Sequence, residues 1–327
     1  AGRLPDAAAA AVQPDTLAWS PDGRLLAFVG AQDGPSADLY LFDTASGKAR
    51  RLTAGLNQVA SPAWSPDGQW VFFQEVISFG STQGWKMGSV WAAAADHNEA
   101  RKLYTPPSNS TREVMLGWSA ADTLLTGTRA PDGLHDLRAV PVSGRFVNPI
   151  YGGPLDLAAF DPTSQALAFT ETAQTGAGIG LAAGLYRLAG LKGSPQLVQA
   201  GNWTSLEFSP ALKRFLAGGE QGLLLFDPGG STLLIKNEAA GLPSPDGHWL
   251  AAWGSGAHPG LRLYQPDGTL LQQVSADAVA QLSWQPDSKA FYFLAADRLY
   301  RVSFPQAQPV QIDQGVLAGS LAWLGGR

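Results

Sequence analysis

The sequence predicts an all-β chain forming a single β-propeller of about seven four-stranded blades, with six and eight as the alternative counts. Three observations predict this. A short apolar run ending in Trp or Phe, a Ser-Pro-Asp-Gly type turn and a second apolar run recur along the chain. The recurrences are spaced by 45, 54, 42, 48, 35, 41 and 39 residues, a mean of about 43, which is the length of a four-stranded blade. Gly (38) and Pro (23) are abundant without a short fixed period, as many short strands joined by tight turns require.

The first copy is the clearest. Leu17-Ala18-Trp19 is followed by Ser20-Pro21-Asp22-Gly23, and Leu25-Leu26-Ala27-Phe28 returns. Pro21 presets φ for the first turn position and Gly23 takes the positive φ that closes the turn, so the stretch reads as a hairpin. Trp64-Ser65-Pro66-Asp67-Gly68 with Trp70-Val71-Phe72-Phe73 repeats it closely. Partial copies follow at Trp118-Ser119, Phe160-Asp161-Pro162, Phe208-Ser209-Pro210, Pro243-Ser244-Pro245-Asp246-Gly247 and Trp284-Gln285-Pro286-Asp287. Leu321-Ala322-Trp323 is a truncated eighth start. A third run follows in each unit, best seen in Asp38-Leu39-Tyr40-Leu41-Phe42-Asp43. A fourth follows a Gly-containing turn, as Ser46-Gly47 leads to Ala49-Arg50-Arg51-Leu52. We therefore expect residues 1–15 to be an N-terminal extension and 16–327 the propeller.

Composition narrows the function classes. Net charge is −5 with no block of Lys or Arg and the pI is near 5.3, which argues against a nucleic-acid partner. The absence of cysteine removes disulfides, thiolate metal sites and thiol nucleophiles. No apolar run reaches the 18 or more residues of a membrane span. The chain begins at Ala1 rather than Met, so we expect that a signal peptide, an anchor or further domain has been removed, and that the protein is extracytoplasmic.

The Trp-Ser-Pro-Asp-Gly turn, the Leu25–Phe28 strand and the Asp38–Asp43 strand resemble the TolB-type propeller repeat, a bacterial relative of WD-repeat propellers. The similarity runs from Leu17 through essentially the whole chain, strongest in repeats one and two. Repeats three to five depart from it by losing the Asp-Gly pair. The resemblance implies a cell-envelope location, periplasm or cell surface, and a protein partner. Such repeats also occur in peptidase gating domains and some lyases. The expected function is thus a non-catalytic protein-binding or scaffold propeller. The alternatives are an enzyme or enzyme-gating propeller acting on a sugar or peptide, or one domain of a larger envelope protein.

Length variation concentrates in the second-to-third and inter-blade connections, above all Gln74 to Met87, Thr105 to Glu113 and Glu171 to Ala183. Loops on rigid scaffolds carry function, and aromatic and Arg side chains anchor interfaces. Phe79, Trp85, Arg112, Tyr151 and Trp203, read as loop residues, are the expected binding patch. The repeated Trp19, Trp64, Trp118 and Trp284 read as blade-core residues rather than a ligand cage. The repeated Asp22, Asp67, Asp246 and Asp287 read as turn caps. His97, His135, His248 and His258 fall in different repeats without metal-ligand spacing, and no nucleophile elbow is present. Gly176-Ala177-Gly178-Ile179-Gly180 lacks the spacing of a phosphate loop. No catalytic residue, metal or cofactor is expected.

Overall fold

A computed structural model describes residues 17–31, 37–54, 57–80, 84–97, 99–106, 112–120, 122–130, 133–144, 148–151, 155–173, 180–188, 190–191 and 193–316. The expected extension at 1–15 and the truncated start at Leu321–Trp323 lie outside them. The described elements are strands, assembled into seven four-stranded antiparallel sheets. The fold class is therefore the predicted one, the seven-bladed β-propeller make-up. The chain divides into two compact units, Ala1–Pro154 and Leu155–Arg327, and the division falls between the third and fourth sheets.

The first unit holds three blades. Blade 1 is β1 (Leu17–Trp19), β2 (Leu25–Gly30), β3 (Asp38–Asp43) and β4 (Lys48–Arg51). Blade 2 is β5 (Gln58–Trp64), β6 (Trp70–Gly80), β7 (Gly84–Ala94) and β8 (Ala100–Tyr104). Blade 3 is β9 (Arg112–Ala120), β10 (Thr123–Ala130), β11 (Gly133–Pro141) and β12 (Asn148–Tyr151). Strands run in chain order within each sheet.

The second unit holds four. Blade 4 is β13 (Ala158–Asp161), β14 (Ala166–Glu171), β15 (Gly184–Leu188) and β16 (Gln196–Ala200). Blade 5 is β17 (Trp203–Ser209), β18 (Arg214–Gly219), β19 (Gly222–Phe226) and β20 (Thr232–Ile235). Blade 6 is β21 (Ala240–Pro243), β22 (Leu250–Trp253), β23 (Leu261–Tyr264) and β24 (Leu270–Ser275). Blade 7 is β25 (Val279–Trp284), β26 (Ala290–Ala295), β27 (Arg298–Ser303) and β28 (Pro309–Gln314).

The recurring turn is held by one hydrogen-bond set. Gly23 N–H donates to Ser20 O (2.9 Å), Ser20 N–H to Leu25 O (2.8 Å), Ser20 Oγ to Asp22 Oδ1 (2.6 Å), Arg24 N–H to Asp22 Oδ1 (3.0 Å) and Leu25 N–H to Ser20 Oγ (2.8 Å). Ser65–Trp70 and Ser244–Trp249 reproduce it bond for bond. Each carboxylate is committed to its own turn, as the turn-cap reading expects. Gly23 and Gly68 have φ of 68° and 69°, a region that a Cβ disfavours. Blades 4 and 5 lack the Gly because they use a different turn. There the left-handed residue is the last before the second strand, Gln165 (φ 58°) and Lys213 (φ 53°).

Cores form where neighbouring blades meet. Ala27, Leu39 and Leu41 of blade 1 pack with Val59, Trp64, Val71 and Phe73 of blade 2. In the second unit, Leu261, Leu263 and Val274 of blade 6 pack with Trp284, Phe291 and Phe293 of blade 7. Two of the repeated tryptophans stitch these seams: Trp64 Nε1–H donates to Ala18 O (2.9 Å) and Trp284 Nε1–H to Leu242 O (3.0 Å), each on the preceding blade's first strand. That fixed donor explains Trp at this position, since a buried indole N–H needs an acceptor.

Candidate binding site

Blade 2 departs most from the repeat. Its middle strands, β6 and β7, are 11 residues each, while β5 has 7 and β8 has 5. β5 begins pairing with β6 at Gln58↔Val76, and the last pair of β7 with β8 is Val90↔Tyr104. β6 and β7 continue as a two-stranded arm through Val76↔Met87, Ser78↔Lys86, Phe79↔Trp85 and Gly80↔Gly84. The segment read from the sequence as a long loop is thus a hairpin extension. Strand alternation explains this: Trp70 to Phe79 is rich in β-branched and aromatic residues with no Pro or Gly to stop it. The arm's root is buried, where Val76 and Met87 pack on Ala60.

Beside that root lies a cavity of about 350 Å³ lined by Arg51, Leu52, Thr53, Asn57, Val59, Phe73, Glu75 and Trp91, among others. The register explains the lining. Val59↔Glu75 and Phe73↔Trp91 are cross-strand pairs, so one face of blade 2 forms the wall. The chain leaving β4 supplies the other side. Phe73 and Trp91 are stacked, with centroids 6.5 Å apart and planes at 9°. Glu75 brings an anion into this apolar wall. Its Oε1 accepts from Asn57 Nδ2 (2.5 Å) and its Oε2 from Ser89 N–H (3.3 Å). Gly88 makes room for it, because a Cβ there would stand 2.7 Å from Glu75 Oε2.

Three more deeply buried acids are differently placed. Asp38 (side chain 2% exposed) accepts from Arg51 Nη2 (2.5 Å) and Thr53 Oγ1 (2.9 Å). Glu113 (1%) holds Arg138 Nη1 at 3.1 Å, accepts from Thr128 Oγ1 at 2.7 Å, and is also bonded by the Tyr104 and Thr126 hydroxyls. Glu238 (1%) accepts from Arg262 Nη1 (2.9 Å) and Tyr264 Oη (2.7 Å). Burial, with the adjacent carboxylate adding to it, raises both tyrosine phenols, so they stay protonated donors. Each acid is clamped by an arginine inside its blade, although Glu238 Oε2 is buried without a hydrogen-bond partner among the described residues. No group of three or more His, Asp or Glu able to hold a metal exists among the described residues.

The five expected anchors fall in strands, not loops. Phe79 and Trp85 are cross-strand partners in the arm. Arg112 opens β9 opposite Arg129, and Tyr151 ends β12 opposite Leu137. β9 and β12 are the two edges of blade 3's sheet, about 14 Å apart at normal strand spacing, so those two are not neighbours across the sheet. Trp203 opens β17 in the second unit and is 4% exposed, packed with Phe215, Leu224 and Phe226. Its ring belongs to a blade core, which corrects its placement among surface anchors. Sequence reading missed the cavity residues Glu75, Asn57 and Trp91. The available signal was a carboxylate two residues after Phe73 in a strand whose inward face is otherwise apolar.

No family model matches the chain. A 51-residue stretch is 51% identical to the Uncharacterized peptidase YuxL of Bacillus subtilis, covering 16% of this chain and 8% of that protein. Among solved structures, the chain is similar to a prolyl endopeptidase (TM-score 0.60, 12% identity, 92% of this chain and 50% of that one). It is also similar to the dihydro-heme d1 dehydrogenase NirN (TM-score 0.61, 13% identity, 91% and 66%). TolB from Acinetobacter baumannii matches at a TM-score of 0.44 with 14% identity, over 81% and 63%. At 12% and 13% identity, the prolyl endopeptidase and NirN matches show the fold alone. The matches span a small part of YuxL and half of the prolyl endopeptidase chain.

Proposed function

We propose that this chain is a non-catalytic binding propeller of the bacterial cell envelope. It engages a protein partner through the β6–β7 arm and the cavity at its root. The observation that carries the reading is the arm itself. Four residues of β6 (Ile77 to Gly80) and six of β7 (Gly84 to Ser89) run beyond the pairing with β5 and β8, leaving backbone edges that pair with no described strand, a recurrent mode of peptide and strand capture. Three of the buried acids, Asp38, Glu113 and Glu238, are each tied to an arginine, which favours structural over acid–base roles for those three. The envelope location rests on the TolB-type character of the repeats.

A second reading, the propeller of a peptidase, is favoured by the short YuxL match, whose name carries that activity. In both readings the propeller binds polypeptide; they differ in whether the chain itself cleaves it. The test joins Val76 to Met87 by a two-residue Asn-Gly turn, removing the arm while keeping its buried root. Partner capture by the intact chain and by this variant is compared by cross-linking in envelope extract, with peptide hydrolysis monitored in parallel. Loss of a specific cross-linked species on trimming supports the proposal. Capture unchanged by trimming, or hydrolysis by the purified chain, overturns it.

A further inference from the structure

We propose that the cavity at the root of the arm receives a lysine or arginine side chain from an extended basic segment of a partner protein. The cationic head would sit on Glu75 and its aliphatic stem against Trp91 and Phe73. This inference rests on the protein-binding reading and names the chemistry of its site.

Charge sets the occupant. Asp38, Glu113 and Glu238 each hold an arginine, but Glu75 is met by an amide and a backbone N–H and forms no ion pair among the described residues. The other charged lining residue, Arg51, is spent on Asp38 (2.5 Å) and on the Thr53 carbonyl (2.5 Å). Lys102 stands opposite Trp91 in the register yet makes no ion pair with Glu75. Among the described residues the cavity therefore carries one uncompensated negative charge, and a monocation balances it.

The walls select the rest of the ligand. Trp91 is half-buried, so part of its ring stays open to the cavity. The face of Trp is the best aromatic surface for a cation. Leu52, Val59 and Phe73 suit the methylene stem of a side chain whose head alone is charged. A volume of about 350 Å³ is at the small end for ligand pockets, enough for one side chain and water. The backbone supplies a route for a polypeptide. On its β5 side, β6 has no described partner beyond Val76, and that free edge begins next to Asn57 and Glu75. A segment pairing there in strand conformation arrives at the cavity mouth. The chain's net charge of −5 favours encounter with a basic segment.

The test titrates the intact chain with capped pentapeptides Ala-Val-Xaa-Val-Ala, in which Xaa is lysine, arginine, norleucine or glutamate. Lysine and arginine peptides should bind about tenfold more tightly than the norleucine peptide, a difference set by the charge alone. Glu75→Gln should abolish that preference, and Trp91→Leu should weaken the lysine peptide by about threefold or more. Glu220→Gln, the same charge change on the exposed turn between β18 and β19 of blade 5, should leave binding as it was. Equal binding of norleucine and lysine peptides, a preference retained in Glu75→Gln, or equally tight binding of n-butylammonium would overturn the proposal. If Glu75→Gln fails to fold, the norleucine comparison in the unaltered chain and the Trp91→Leu variant decide it. Peptide binding absent while arm-dependent capture persists would sink this inference and leave the protein-binding reading standing.

Discussion

Removing the Arg138 guanidinium should cost blade 3 far more than a surface charge would. Glu113 is 1% exposed and Arg138 11%, with Nη1 at 3.1 Å from Oε1. At that distance and an effective dielectric of about 20, the pair attracts by roughly 5 kcal/mol, set against the desolvation both groups have undergone. Arg138 also lies over the Tyr104 ring at 5.3 Å, worth about 0.5–2 kcal/mol more. In Arg138→Met the carboxylate stays buried with hydroxyl donors only, a situation that costs about 3–5 kcal/mol. Replacing both charges, Glu113→Gln with Arg138→Met, leaves the Thr126, Thr128 and Tyr104 hydroxyls an amide oxygen to bond. The double variant should therefore recover about 2 kcal/mol relative to Arg138→Met. Urea unfolding at neutral pH gives the stabilities, and amide exchange of β9 and β11 localises the loss, since blades need not unfold together. A loss below about 1 kcal/mol in Arg138→Met, or no recovery in the double variant, would refute the reasoning.

Two further outcomes follow from the repeat. Trp64→Phe keeps the ring in the seam but leaves Ala18 O without its 2.9 Å donor. The chain should lose about 1–3 kcal/mol, read as a lower urea midpoint, with Trp284→Phe behaving alike in the second unit. Asp22 is held below the usual carboxylate range by the Ser20 hydroxyl first and the Arg24 amide next. A depressed folded pKa means its contribution is complete above the unfolded value near 3.8. That contribution disappears as pH falls through the lower folded value. Asp22→Asn should flatten the acid limb of the melting temperature below about pH 4, and an unchanged limb would count against the turn's role.

The turn and the tryptophan were legible because each is fixed by local or repeating geometry. Ser20-Pro21-Asp22-Gly23 satisfies its own hydrogen bonds within six residues, so the motif announces the structure wherever it recurs. Trp64 and Trp284 answer to a carbonyl on the preceding blade's first strand, 46 and 42 residues earlier, a constraint the repeat imposes at the same structural position. Blades 4 and 5 were harder to read, because Gln165 and Lys213 take the left-handed position without the Gly that signals it. The arm was legible as excess length but not as strand, since length alone does not distinguish a loop from two paired strands that outrun their neighbours.

The cavity was not legible at all, and the reason is register. Glu75 and Trp91 are 16 residues apart in the chain and meet only because Phe73 pairs with Trp91 while Val59 pairs with Glu75. Arg51 and Asn57 come to the same place from either side of a blade boundary. Nothing in the repeat predicts a carboxylate at position 75, and the scaffold does not need one. Its anion is left with neutral donors, against a glycine whose missing Cβ gives it space. In each core clamp an arginine answers the acid inside the fold. At Glu75 none of the described residues does, and the open edge of β6 offers the path by which a polypeptide would bring a cation to it.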